Sequence, residues 1–168
     1  MVVNNVLSEK TLAFAIRIVN GYKFLVESKK EFIMSTRSTC YVFRVLPTGQ
    51  LEHLYYGSRL RFQEDFSDME MLAPKREYAP GNTISYDAAH PALVMEDTCL
   101  EVSSYGKGDL RSPFVTICHG DGGRTSDFKF DSYTVESSKP ERKTLPGSYG
   151  YAEGGGACET LHVVLKEA

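Results

Sequence analysis

From Phe32 onward, apolar and polar positions alternate with period two along much of the chain. That spacing puts one set of side chains on each face of a strand. Tyr41, Phe43 and Val45 share a face, with Arg44 on the other, and Leu51 to Tyr56 repeats the signal. Pro47-Thr48-Gly49 between them makes a turn, with Gly49 suited to a positive φ. Together they predict a β-hairpin. A second hairpin is expected from Phe114 to Cys118, a turn at His119 to Gly123, and a strand from Ser126 to Val135. In that strand Phe128 and Phe130 alternate with Asp127, Lys129 and Asp131. Beyond a polar stretch with Pro140 and Pro146, Gly154-Gly155-Gly156 leads into a last strand. There Leu161, Val163 and Leu165 alternate with His162, Val164 and Lys166. No partner for it follows before Ala168, and natural sheets usually cover such an edge. The expectation is a sandwich truncated at its C-terminal end, spanning residues 32–168.

Two regions break the alternation. In residues 1–31, Leu12, Ala15, Ile16 and Val19 recur at spacings of three and four, a helical stripe. A short helix, a frayed strand and a disordered leader are all compatible with this stretch. Residues 58–95 read as a long irregular connection of mixed charge, punctuated by Pro74, Pro80, Gly81 and Pro91. Long connections in compact domains are uncommon and often carry function. The fold class is therefore all-β: an antiparallel β-sandwich with a long loop and a helical or disordered N-terminal leader.

Composition sharpens this picture. The chain has 10 Tyr and 9 Phe but no Trp, and Tyr and Phe pack well on half-buried strand faces. The net charge of -3, with Lys and Arg scattered, removes any electrostatic basis for nucleic acid or an anionic membrane as partner. The apolar run Leu12 to Val19 is interrupted by Arg17 and falls short of the roughly 20 residues of a membrane span. It also lacks the flanks of a signal peptide, so a cytoplasmic location is expected.

Candidate chemistry is sparse. Cys40, Cys99, Cys118 and Cys158 are isolated, form no C-x-x-C pair, and read as buried reduced thiols. His53, His90, His119 and His162 lack metal-ligand spacing, and adjacent Cys118 and His119 would point to opposite faces of a strand. Neither a metal nor a cofactor is expected. Gly120-Asp121-Gly122-Gly123 lacks the Lys-Ser/Thr of a phosphate loop and reads as a hairpin turn. No Gly-x-Ser-x-Gly elbow occurs. Glu64, Asp65, Asp68 and Glu70 could supply the carboxylate pair that glycoside hydrolysis needs, roughly 5 to 9 Å apart, although a solvated acidic loop is the plainer reading. Asp109 and Arg111, in the run Gly106 to Pro113, are placed to form a charge-assisted bond that pins a turn.

Three stretches together resemble family 36 α-galactosidases. The first is Thr39 to Leu46 with Gly49 to Gly57, similar to that family's opening tyrosine strand, glycine turn and leucine-x-histidine-leucine-tyrosine strand. The second, Glu101 to Pro113, resembles the family pattern E-x-P-x-Y-G-x-G-D-F-R-x-P. The third combines Asp127 to Phe130, Gly147-Ser148-Tyr149 and Glu159-Thr160-Leu161.

The resemblance implies that residues 32–168 are the first part of a β-supersandwich preceding a catalytic barrel. The parent would hydrolyse terminal α-galactosyl residues of melibiose- or raffinose-type sugars, with retention, through two aspartates of that barrel. No catalytic residue is assigned to this chain. The partners implied are α-galactosides, the parent's own barrel and further copies in a homo-oligomer. In such assemblies a sandwich loop reaches a neighbouring subunit's active site, and residues 58–85 correspond to it here. Where some members have Asp-Arg-x-Phe-Ser-Pro, this chain has Lys75-Arg76-Glu77-Tyr78-Ala79-Pro80. With Lys75 in place of the acid, Asp65, Phe66 and Asp68 are the substitute sugar-binding candidates beside Arg76. A carboxylate would accept sugar hydroxyls, and Phe66 would stack on a sugar face. Residues 1–31 match nothing in the family pattern. The alternative reading is a stand-alone carbohydrate-binding or oligomerisation module.

Overall fold

The computed structural model describes residues 11–19, 23–26, 30–63, 67–76, 85–107, 109, 111–137 and 158–168, the first two segments through their backbone pairing. Seven strands are present: β1 (Thr11–Val19), β2 (Lys23–Val26), β3 (Glu31–Ser35), β4 (Thr39–Val45), β5 (Leu51–Ser58), β6 (Phe128–Glu136) and β7 (Cys158–Glu167). They form two antiparallel sheets, a three-stranded one in the order β1-β7-β6 and a four-stranded meander β2-β3-β4-β5.

The first hairpin forms as its alternation and turn demand. Gly49 sits at φ +98°, a conformation that disfavours any side chain, and Leu46 N–H closes the turn on the Gln50 carbonyl at 2.8 Å. A bulge lies between the Val42–Tyr55 and Phe43–His53 pairs.

Three expectations are corrected. Residues 11–19 are a strand, not a helix. β1 pairs with β7 along its whole length, from Thr11–Lys166 to Val19–Cys158. Leu-Ala-Phe-Ala-Ile-Arg-Ile-Val is apolar enough on both faces to satisfy either period, and the long-range ladder decides. For the same reason β7 is not an unpaired edge; it is the central strand, with β6 on its other side. Phe114 to Cys118 belongs to neither sheet. Val115 and Ile117 still pack against the core, so the alternation was real, yet β6 takes its ladder from β7 rather than from this segment.

The sheets face each other through one apolar core. Phe32, Met34, Phe43 and Leu51 come from the four-stranded sheet, and Phe128, Leu161, Val163 and Leu165 from the other. Phe32 stacks on Phe43 with centroids 4.7 Å apart and meets the edge of Tyr133 across the sandwich at 5.5 Å. The outer face of the four-stranded sheet is covered as well. Ile33, Cys40 and Val42 bury there against Met69, with Leu54, Phe62 and Leu72 packed around them. Met69 and Leu72 belong to a 3-10 turn, Ser67–Leu72, so the segment after β5 folds back over the sheet that it leaves.

Among the described residues no helix is long and apolar enough to cross a membrane.

Candidate functional site

Among the described residues, three polar cross-links and one buried ionic cluster join separate segments. In the first cross-link, Tyr41 Oη donates to one oxygen of Glu101, and His53 Nδ1 lies 2.9 Å from the other. Burial, followed by the hydrogen bond to Glu101 and its charge, pushes the Tyr41 hydroxyl pKa up. In the second, buried Asp109 holds Arg111 through Nε at 2.8 Å and Nη2 at 3.0 Å. Arg111 Nη2 also donates to the Met95 and Thr98 carbonyls, and the bond to Asp109 raises the Arg111 pKa. In the third, buried Asp127 accepts from Gln50 Nε2 at 2.7 Å and from Tyr86 Oη at 2.6 Å. Lys107 and Lys129 lie over the Tyr86 ring at 5.8 and 5.7 Å, close to the same carboxylate. Each cross-link ties an irregular segment to a strand or to another loop. The expected Asp109–Arg111 pair is thus present, and it ties Arg111 to the 95–98 segment.

The ionic cluster centres on Glu52. Strand alternation after core residue Leu51 turns Glu52 to the outer face, and the hairpin register sets it opposite Arg44. Its side chain is 0% exposed. Arg44 Nε donates to Oε2 at 2.8 Å, and Arg76 donates to both carboxylate oxygens. A buried carboxylate needs such compensation, because taking a charge out of water costs several kcal/mol. A forked guanidinium provides it with fixed geometry. Arg76 is the last described residue of the segment that covers the outer face. Residues 67–76 are thus held by the packing of Met69 and Leu72 and by the Glu52 clamp.

Beside the clamp lies an open groove of about 1110 Å³, whose walls include Arg44, Arg76, Lys75, Glu70, His90 and Phe130. Of the residues expected to contact sugar, Arg76 lines this groove. Asp68 sits in the 3-10 turn, where its carboxylate accepts from the Gln63 N–H at 3.0 Å, and it is not part of the groove wall. Asp65 and Phe66 lie outside the described residues. Glu52 was not singled out from sequence. Its pairing with Arg44 was readable from the hairpin, whereas Arg76 joins them only through the tertiary fold.

Cys40 and Cys158 are buried and Cys99 and Cys118 exposed, all four as free thiols, so burial holds for half of the cysteines expected inside. Cys118 and His119 are not on a strand; His119 closes the turn with Gly123, its N–H 2.8 Å from that carbonyl. Among the described residues no group of three or more His, Cys, Asp or Glu could hold a metal ion.

Residues 49–168 match the Glycosyl hydrolase family 36 N-terminal domain, and the chain belongs to that family. It is similar to alpha-galactosidase AgaA of Geobacillus stearothermophilus, at 24% identity over 83% of this chain and 18% of that protein. It is also similar to the bifunctional alpha-galactosidase/sucrose kinase AgaSK of Mediterraneibacter gnavus, at 29% identity over 83% of this chain and 14% of that protein. The galactosidase domain of AgaSK superposes with a TM-score of 0.67 at 25% identity, over 86% of this chain and 19% of that one. An AgaA variant solved in complex with raffinose shares the fold, with a TM-score of 0.67 at 23% identity over 81% of this chain and 18% of that one. The chain spans less than a fifth of the length of these relatives.

Proposed function

We propose that this chain is the non-catalytic N-terminal part of an α-galactosidase that hydrolyses terminal α-galactosyl residues of melibiose- or raffinose-type sugars with retention. The observation that carries this reading is the family match over residues 49–168. The similar proteins named as alpha-galactosidases, one of them solved with raffinose, support the substrate class. Within the chain, three buried carboxylates, those of Glu52, Asp109 and Asp127, are each held by cations or hydrogen-bond donors, which favours a scaffolding role for them over acid–base work.

The segment 58–85 is the part that serves substrate. Arg76 offers a guanidinium to sugar hydroxyls at the groove, and Asp65, Phe66 and Asp68 complete the set in an oligomer of the parent enzyme. The test compares the full-length parent with this chain alone on melibiose, following galactose by proton NMR. Retention by the parent and no turnover by the chain are expected. Turnover by the isolated chain would end the non-catalytic reading, and a parent inert on α-galactosides would end the enzymatic one. In the parent, Asp65→Ala leaving the affinity for melibiose unchanged would remove Asp65 from the site.

A further inference from the structure

We propose that Glu52 is a positioning residue for substrate binding: its buried carboxylate sets the place and direction of Arg76. This rests on the reading of residues 58–85 as the substrate-serving segment.

Three observations carry the proposal. Glu52 is the fully buried partner of two arginines from different places, Arg44 on β4 and Arg76 on the segment. Arg76 meets both of its oxygens, an arrangement that fixes the guanidinium plane as well as its position. Arg76 also lines the open groove, so one side chain spans from buried anchor to accessible surface. The apolar contacts of Met69 and Leu72 hold the 3-10 turn, whereas Arg76, four residues further on, is held by Glu52. Without the carboxylate, a long and rotamer-rich arginine has no fixed direction and must be ordered anew on each binding event. Arg44, held by the β4–β5 ladder, keeps Glu52 itself in one rotamer.

The test uses the full-length parent enzyme and melibiose kinetics. Glu52→Gln keeps the volume of the side chain and removes its charge. KM should rise about tenfold with kcat essentially unchanged, the pattern of lost binding that ground state and transition state share. Arg76→Ala should raise KM by a similar factor, and the double variant should be no worse than Arg76→Ala alone. Glu52→Asp, which retains the charge on a shorter arm, should recover part of the loss, and it carries the test if Glu52→Gln fails to fold.

A raised KM in Arg76→Ala with an unchanged KM in Glu52→Gln would overturn the positioning role and leave the substrate-loop reading standing. Unchanged KM in both would overturn both. Multiplicative effects in the double variant would mean that Glu52 acts elsewhere, which also sinks the proposal.

Discussion

The two faces of the four-stranded sheet are both covered, but by different means. The inner face meets a second sheet through large interlocking side chains, with Phe32 stacked on Phe43 and Leu161, Val163 and Leu165 opposite. The outer face meets a single irregular segment through a small cluster around Met69 and the ionic clamp at Glu52. An apolar sheet interface is extensive and non-directional, and it sets global stability. A clamp of one carboxylate and two guanidiniums adds little net stability but fixes geometry, since desolvation offsets much of its attraction. The inner face thus holds the domain together, and the outer face holds residues 67–76 in place.

The largest break in this contrast is expected from Phe43→Ala. It removes a fully buried ring that touches both Phe32 and Tyr41, and about 3–5 kcal/mol of unfolding free energy should go with it. Urea denaturation would show the loss as a lower midpoint of the whole transition. An effect confined to one loop would mean that the inner face is not the global core.

Glu52→Ala should cost about 3 kcal/mol, the lower end for a broken buried pair, because Arg44 and Arg76 are partly exposed and can turn to water. Its signature should be local. Hydrogen exchange should rise at residues 67–76 while the amides of Ile33 and Val42 stay protected. Uniform loss of protection would erase the proposed difference between the faces.

Met69→Ala should cost about 2 kcal/mol and loosen the same segment. Combined with Glu52→Ala, the two losses should fall short of their sum, because each undocks one segment and the docking free energy can be lost only once. Strict additivity on denaturation would mean that the two anchors hold independent pieces.

The smallest effect is expected at exposed Asp131. The Lys166 ammonium, 3.1 Å away, holds its carboxyl pKa below the ordinary value. A group with a lowered folded pKa stabilises above its unfolded pKa, about 3.9 for Asp, and the contribution fades as pH falls through the folded value. Asp131→Asn should therefore lower the thermal midpoint slightly at pH 7, and the difference from wild type should vanish in strong acid. A gap that persists in acid would assign the effect to something other than charge.

How far the fold was legible varies element by element. The β4–β5 hairpin, the His119–Gly123 turn, β6 and the inward face of β7 all lay in local alternation and turn chemistry. β1 did not, because its residues are apolar on both faces and suit a helix or a buried strand equally. The segment around Val115 and Ile117 shows the opposite failure: correct alternation without a ladder. At the candidate site, Arg76 was legible through its place in the family-like motif. Its partner Glu52 was hidden, because an acid on an alternating strand looks solvent-facing when nothing in sequence says that residues 67–76 will cover that face.

What the sequence by itself determined is local: which residues share a strand face, where Gly49 bends the chain, and which family the motifs of residues 39–57, 101–113 and 127–161 resemble. Only the tertiary structure decided that the last strand lies at the centre of its sheet and that β1 is a strand. It also decided that Glu52 is buried beneath Arg76. The physical reason is the same in each case. Period and turn act over a few residues, whereas ladder partners and burial depend on segments that are distant in sequence.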